Sequence, residues 1–223
     1  MRHFLKCVNA AIILGFLIQT VFAQSSRADD DDDFQSWNDL NVTVAVGSRV
    51  DLLFPANFRL TRNLGRFNQG RIGAGIAIKA HKRFTVTPSY SFTRTRNSAG
   101  TFRTENRFQL RAVYRFPISR FGLYHRSQLE YRKRLPRKSW RYRPSITLEK
   151  EFSKSFARGF KAFVTEEPFY DSAYGRFSRN RLTVGLSKSL SNTFSVELNY
   201  LRQDDISNPR VVHVIGTALK IKL

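Results

Sequence analysis

Cysteine is almost absent from this sequence of 223 residues, and no long apolar run follows its first 23 residues. A single cysteine excludes a disulfide scaffold and a cysteine-based zinc site. A multi-span helical membrane protein is excluded as well, because it needs several runs of about 20 apolar residues. The apolar fraction of 41% is nevertheless too high for a disordered basic tail. Length and composition together favour one folded domain, with a mean hydropathy of -0.38.

Acidic residues are also scarce, because 17 Asp and Glu stand against 38 Lys and Arg, for a formal net charge of +21. Five of the acids are consecutive, Asp29–Asp33. Adjacent like charges repel and do not pack, so we predict a flexible acidic segment over residues 24–36. A calcium site there would need spaced ligands and a glycine turn, which the run does not offer. From Phe34 onward, 35 basic and 12 acidic side chains give +23.

The first 23 residues have the order of a secretory signal peptide, which we predict for residues 1–23. A basic start (Arg2, His3 and Lys6) precedes the apolar stretch Ala10–Phe22 and a cleavage site at Ala23. The alternative, an N-terminal anchor, is disfavoured because this stretch is too short to span a bilayer comfortably. The only cysteine would be removed with the signal peptide.

Apolar and polar residues alternate at period two through the rest of the chain. In the segment from Phe84 to Phe92, apolar side chains fall on one face of an extended strand and Thr and Ser on the other. The pattern predicts eleven strands, at residues 38–46, 50–62, 67–80, 83–96, 102–116, 120–134, 138–152, 156–169, 175–189, 193–204 and 210–223.

These segments are about 9–17 residues long, whereas strands of soluble proteins average about 5–6 residues. A strand that crosses a membrane needs about 9–11 residues, so we predict an antiparallel transmembrane β-barrel over residues 37–223. Bacterial barrels have an even number of strands, so the count is expected to be ten or twelve, and twelve is preferred. The alternative fold is a secreted sandwich or lipocalin-like barrel, whose apolar faces would turn inward.

Aromatic residues and turns support the membrane barrel. Connections are expected to be short at one end of the barrel and longer at the other. Aromatic side chains concentrate near the strand ends, as the aromatic girdles of such barrels require, at Phe102, Tyr114, Phe116, Phe121, Tyr131, Trp140, Tyr142, Phe152, Phe169 and Tyr170.

Several stretches together resemble the Gram-negative outer-membrane barrels grouped as domain-of-unknown-function family 2490. They are Asp33–Trp37, His125–Arg132, Trp140–Arg143, Glu167–Asp171 and Asn180–Leu182. The resemblance covers nearly the whole chain from Phe34 to Leu223. It implies an outer-membrane location, in contact with membrane lipid and lipopolysaccharide, and it implies no activity, substrate or catalytic residue.

If the apolar faces meet lipid, the alternate residues line the lumen, since Arg or Lys facing lipid costs about 2–4 kcal/mol at the midplane. The predicted basic set is Arg59, Arg71, Lys79, Arg107, Arg111, Arg115, Arg126, Arg132, Arg134, Arg141, Arg143, Arg181, Lys220 and Lys222. The predicted acidic set is Asp51, Glu105, Glu130, Glu149, Glu151, Glu167 and Glu197.

Two interpretations of these charges are open. In one, the lumen is packed with cross-strand salt bridges and the barrel is structural. In the other, the excess of Arg and Lys makes a channel that prefers small anionic solutes. Nucleic acid is not an expected partner, because the basic residues spread over every strand instead of forming one patch.

An enzyme is the alternative function. His125 and Ser127 share the outer face of a predicted strand, and the pair resembles the arrangement of lipid A deacylase barrels, although Glu130 points the other way. The other histidines beyond the predicted signal peptide, His81 and His213, are scattered and make no metal site. We therefore predict a non-enzymatic barrel without cofactor or metal, and keep a lipid hydrolase that uses His125 and Ser127 as the alternative.

Overall fold

The computed structural model describes residues 33–97, 99–152, 159–206 and 210–223, so the predicted signal peptide and all but the end of the acidic segment lie outside the described residues. The described residues form eleven β-strands in one closed barrel. The strands are β1 (Asp33–Ala45), β2 (Val50–Thr61), β3 (Arg66–His81), β4 (Phe84–Arg96), β5 (Phe102–Arg115), β6 (Gly122–Arg134), β7 (Arg137–Glu151), β8 (Phe160–Asp171), β9 (Arg176–Ser189), β10 (Phe194–Asp205) and β11 (Arg210–Lys222).

Each strand pairs antiparallel with its neighbours in sequence, and the ring closes where β1 pairs with β11. An odd number of up-and-down strands leaves the first and last pointing the same way, so this closing pair is parallel, from Asp33 opposite Val212 to Thr43 opposite Lys222. The predicted barrel architecture is confirmed, but the preferred count of twelve strands is not. The period-two pattern contained eleven segments, and twelve was preferred only because bacterial barrels have an even number of strands.

The strand bounds differ from the predicted ones mainly at two places. β1 begins at Asp33, so residues 33–36, which end the predicted acidic segment, belong to the barrel. β8 runs from Phe160 to Asp171 and not over residues 156–169. The other nine strands agree to within two residues at each end.

The expected difference in connection length between the two ends of the barrel is absent. The connections at residues 116–121 and 152–159 lie at the end where short turns were predicted, and both are longer than the opposite connection at residues 135–136. Loop length therefore does not distinguish the two ends.

The apolar face of each strand is the outer face of the barrel. Leu129 is 42% exposed, whereas its neighbours Gln128 and Glu130 are 3% and 0% exposed. Phe84 and Ile76, which a soluble fold would bury in its core, are 36% and 44% exposed. The inward-facing apolar core that the soluble alternative requires is therefore not observed in the described residues. In the described ranges, no helix is long and apolar enough to cross a membrane.

A small apolar cluster lies inside the barrel where the ring closes. It consists of Trp37 on β1, Leu201 on β10, and Val212 and Val214 on β11. The rest of the buried set is mostly polar or charged. The interior of this barrel is therefore held together chiefly by hydrogen bonds and ion pairs.

Candidate functional site

Arginine side chains meet carboxylates of non-adjacent strands through the barrel interior. Arg126 on β6 pairs with Glu167 on β8, and Arg132 on β6 lies 3.1 Å from Asp171 at the end of β8. Because β7 separates these strands in the wall, the side chains must cross one face of β7, and the burial of Arg132 and Glu167 shows that this is the inner face. The predicted lumenal residues Arg126, Arg132 and Glu167 therefore lie on the inner face.

Glu130 is the most deeply buried carboxylate of the interior, with no exposed surface. Its Oε1 accepts hydrogen bonds from Arg143 Nη1 at 2.7 Å, Gln128 Nε2 at 2.7 Å and Gln109 Nε2 at 3.1 Å. Arg107 Nη1 lies 3.7 Å from the other oxygen. One carboxylate thus fixes side chains from β5, β6 and β7.

Glu167 is joined to Glu130 through a shared arginine. Arg143 Nη2 donates to both oxygens of Glu167, at 2.9 and 3.0 Å, while its Nη1 donates to Glu130. Arg126 also pairs with Glu167, and Arg181 Nη1 lies 3.8 Å from it. Charge-assisted bonds of this kind are stronger than bonds between neutral groups.

Glu105 and Asp171 form the second half of this arrangement. Arg132 donates to both oxygens of Glu105 at 2.9 Å and to Asp171 at 3.1 Å. Arg107 donates to Glu105 at 2.6 and 2.9 Å, and Arg134 Nε lies 2.7 Å from it. We call the whole set the carboxylate network: Glu105, Glu130, Glu167 and Asp171 with Arg107, Arg126, Arg132, Arg134, Arg141 and Arg143.

Phe169 lies among the arginines of this network and is 1% exposed. Arg143 and Arg181 stack over its ring with centroid distances of 4.5 and 4.6 Å, and Arg141, which donates to Asp171 at 2.6 and 3.0 Å, is 5.6 Å away. Its predicted place in an aromatic girdle is wrong. Phe169 has the same parity as Glu167 and Asp171, so β8 turns all three inward.

The opposite side of the lumen, on β2 and β3, has arginines without such partners. Arg59 Nε donates to the neutral Asn57 at 3.1 Å, and its guanidinium stacks 3.6 Å from the Trp37 ring centroid. Arg71 reaches only Asp39, at 3.9 Å. On the other side, Arg111 of β5 also lacks a carboxylate partner and donates to the neutral Gln128 at 3.1 Å. We call Arg59, Arg71 and Arg111 the weakly paired arginines, because no described carboxylate lies at hydrogen-bond distance from them.

The remaining predicted charges lie toward the end of the barrel where β11 ends. Glu149 and Glu151 lie 3.4 and 3.5 Å from Lys161 Nζ, and Arg115 stacks 5.6 Å from the ring of Tyr124. Glu197 and Lys220 pair at 2.6 Å, and Asp51 and Lys79 pair at 2.7 Å. These are local pairs between neighbouring strands, with at least one partner substantially exposed. The last predicted basic residue, Lys222, ends β11.

Trp37, Asp39 and Asp171 are among the interior residues that were not predicted to line the lumen. Asp171 was predicted to lie in a connection, and the other two to lie in or before the first predicted strand. Extending the period-two pattern of β8 by two residues places Asp171 on the face of Glu167. Extending β1 toward Asp33 likewise brings Trp37 into the ladder, whereas Asp39 already lay within the predicted strand 38–46.

His125 and Ser127 lie on the outer face of β6, as predicted. His125 Nε2 is 3.0 Å from Ser127 Oγ, which is also 3.1 Å from the Tyr142 hydroxyl. The strand neighbours of His125 are Tyr114 on β5 and Ile146 on β7. The described residues thus supply the His–Ser hydrogen bond but no carboxylate beside the imidazole. They also contain no group of three or more His, Cys, Asp or Glu that could hold a metal ion.

The fold and the interior define a closed, mostly antiparallel β-barrel with an apolar exterior and a charged, largely buried interior. Residues 34–211 match the family described as Protein of unknown function (DUF2490). The match covers most of the chain, so this protein belongs to that family, and the predicted resemblance is confirmed. A comparison with curated proteins finds no match.

Proposed function

We propose that this protein is an exported outer-membrane β-barrel of a Gram-negative bacterium whose lumen is closed by its own side chains. Its role is then structural, and it does not act as an open porin. The observation that carries this proposal is Glu130, a carboxylate with no exposed surface in the middle of the interior. An open passage would leave such a side chain in contact with water.

The membrane location is supported by the division of side chains between the two faces of the wall. Large apolar residues such as Ile72, Phe108 and Leu186 are 63%, 54% and 50% exposed on the outside. An exposed apolar surface of this extent marks a membrane or protein interface in a native fold. The strands, at 12–16 residues, are also long enough to cross a bilayer.

Closure of the lumen is supported by the density of the carboxylate network. Phe169 and Asp171, which share the interior with Glu130, are each 1% exposed. The apolar cluster around Val214, which is 0% exposed, fills the sector where β1 meets β11. Charged and apolar side chains together thus occupy most sectors of the interior.

Planar-bilayer recording tests the closure. The wild-type barrel is expected to give no single-channel steps, whereas Glu130→Ala combined with Glu167→Ala removes the two carboxylates that hold Arg143 and is expected to give steps. Glu151→Ala, which removes an exposed carboxylate at one end, serves as the control and stays silent. Stable anion-selective steps from the wild type would overturn the closed barrel in favour of an anion channel.

Fractionation tests the location independently. The mature chain is expected in the outer-membrane fraction, and a folded barrel resists denaturation by detergent until it is heated, so its gel mobility changes on boiling. Recovery in the soluble periplasmic fraction would contradict the membrane location whatever the bilayer recording shows.

The second candidate function is a lipid-modifying hydrolase, and the 3.0 Å contact between His125 and Ser127 favours it. Such an enzyme would use His125 to take the proton from Ser127 as the hydroxyl attacks an acyl ester. Acyl release from lipopolysaccharide is the assay. Release that Ser127→Ala abolishes and Ser145→Ala leaves intact would establish the enzyme; no release above background from the wild type would exclude it.

A further inference from the structure

Three arginine side chains gather around the connection between β4 and β5, at one rim of the barrel. Arg94 and Arg96 face the same aromatic ring, with their guanidinium carbons 5.2 and 5.8 Å from the centroid of Phe102. Arg66, the first residue of β3, approaches from the neighbouring strand. Its Nη2 and that of Arg96 lie 3.7 and 3.8 Å from the position that a Cβ atom on Gly100 would take. We call Arg66, Arg94 and Arg96 the rim arginines.

The rim arginines have no acidic partner in the part of the chain that the structure describes, where no carboxylate lies within ion-pair distance of them. Glu105, the acid closest to them in sequence, is 6% exposed and is held inside the barrel by the carboxylate network. Arg96 donates from Nε to the carbonyl oxygen of Gly100 at 2.9 Å, which fixes the direction of its guanidinium group. Like charges held this close together repel one another unless a counter-ion joins them.

The cluster lies where the apolar outer wall reaches the ends of the strands. Arg94 is exposed, whereas the preceding Thr93 faces the lumen and is 1% exposed. Phe67 and Phe102 are 43% and 41% exposed, with ring centroids 6.1 Å apart. Phe108, 54% exposed, continues the same face toward the middle of β5. Cations above exposed aromatic rings at the end of a membrane strand match the level of lipid headgroups.

We propose that the rim arginines bind a phosphate group of lipopolysaccharide in the outer leaflet, with its acyl chains against Phe67 and Phe102. This inference rests on the proposed outer-membrane location, and it places the end of the barrel where β4 ends in the outer leaflet. Guanidinium groups bind phosphate oxygens with directed hydrogen bonds. Among the described residues, no acceptor occupies the Nη atoms of Arg94 or Arg96, so these donors remain for the ligand.

The number of arginines favours lipopolysaccharide over a phospholipid. The lipid A part of lipopolysaccharide carries phosphate monoesters, and a phosphate monoester has a charge of about −1.5 to −2 at pH 7. The phosphate diester of phosphatidylglycerol has a single negative charge. A cluster of cations without an acid therefore matches the monoester better.

Binding is measured on the full mature barrel in maltoside micelles, where native mass spectrometry counts the lipid molecules bound. The probe is lipid A that carries both phosphates, and the wild-type barrel is expected to bind one molecule in a saturable manner. Lipid A without phosphates and phosphatidylglycerol are the control ligands. Each is expected to bind at least about tenfold more weakly, because charge-assisted hydrogen bonds are lost.

Variants assign the site. Arg94→Gln and Arg96→Gln are each expected to weaken the binding of lipid A at least about tenfold. Arg202→Gln is the matched control, because Arg202 lies on the outer face at the same end of the barrel and pairs with Asp204 at 3.0 Å. It is expected to change the affinity less than about twofold. If Arg96→Gln fails to fold, Arg94→Gln alone tests the site, because Arg94 makes no hydrogen bond to the described residues.

Four outcomes would overturn this inference and leave the outer-membrane location intact. No binding of lipid A, or equal binding of lipid A without phosphates, would remove the phosphate site. Equally tight phosphatidylglycerol would assign the cluster to phospholipid headgroups. Equal weakening by Arg202→Gln would show a general attraction of anions to a basic rim. Recovery of the chain in the soluble periplasmic fraction would instead contradict the proposed function itself.

Discussion

The two sides of the lumen both carry inward-facing arginines and differ in which groups those arginines contact. On the side formed by β5 to β8, four carboxylates receive the guanidinium groups of the carboxylate network at 2.6 to 3.1 Å. On the side formed by β2 to β4, Arg59 meets Asn57, and Arg71 lies beside unpartnered hydroxyls. Both sides carry inward-facing arginines, so the position of the acids makes the difference.

The comparison separates two uses of buried charge. A carboxylate such as Glu130, shared among several strands, ties the wall together, and removing one partner leaves the others uncompensated. An arginine with no acid at hydrogen-bond distance contributes less to the fold. The first side is therefore expected to contribute more to the stability of the barrel than the second.

The sharpest test exchanges one arginine on each side. Arg143→Gln removes the cation that Glu130 and Glu167 share. We expect it to lower the free energy of unfolding by about 5 kcal/mol, the upper end for breaking a buried pair. Arg71→Gln, the matched substitution, is expected to change it by less than about 1 kcal/mol, because the repulsion it relieves offsets the packing it loses. Urea unfolding of the refolded barrels measures both. Equal losses would remove the distinction between the sides.

A carboxylate of the network gives the next largest effect. Glu130→Gln keeps the size of the side chain but leaves Arg143 and Arg107 with less counter-charge, at an expected cost of about 3 kcal/mol. Glu151→Gln is the control, since that side chain is 61% exposed and 3.5 Å from Lys161, and its expected effect is below about 1 kcal/mol. A Glu130→Gln barrel as stable as the wild type would show that the network is not a stabilising element.

The aromatic member of the network is expected to matter less. Phe169→Leu keeps an apolar side chain of similar volume but removes the ring over which Arg143 and Arg181 stack, at about 1–2 kcal/mol. Phe163→Leu, on an inward ring that faces no arginine at stacking distance, controls for the change in packing. If both substitutions cost the same, the stacking contributes nothing beyond volume.

Most of the wall could be predicted from the sequence, because period two repeats over long strands and each repeat fixes which residues share a face. The ring closure could not. The pattern contained eleven strands, and parity argued for a twelfth, since only the three-dimensional ring shows β1 and β11 meeting in parallel. The start of β1 was missed because Asp33 closes a run of five acids that looks unable to pack, yet the chain pairs from that residue with Val212.

The interior could be predicted only as a set of residues. Period two placed Glu130 and Arg143 inside, but whether an arginine finds a carboxylate depends on the register between strands and on contacts across the lumen, such as Arg132 on β6 with Asp171 on β8. Phe169 is a residue whose predicted position was wrong. An aromatic residue near a strand end suits a membrane girdle, but Phe169 shares the period-two face of Glu167, which was predicted to be lumenal, and its side chain is buried inside.

The smallest effect on stability is expected for an exposed ion pair at the end of the barrel where β11 ends. Lys79 and Asp51 pair at 2.7 Å across β2 and β3, but the lysine side chain is 39% exposed, so Lys79→Gln should cost about 0.2–1 kcal/mol. Salt provides the stricter test. Mobile ions screen an exposed pair within about 3 Å at 1 M ionic strength and reach a buried one far less. At 1 M NaCl the effect of Lys79→Gln should therefore vanish while that of Arg143→Gln persists. If both effects fall together, water and ions reach the carboxylate network, and the two sides of the lumen differ in composition but not in accessibility.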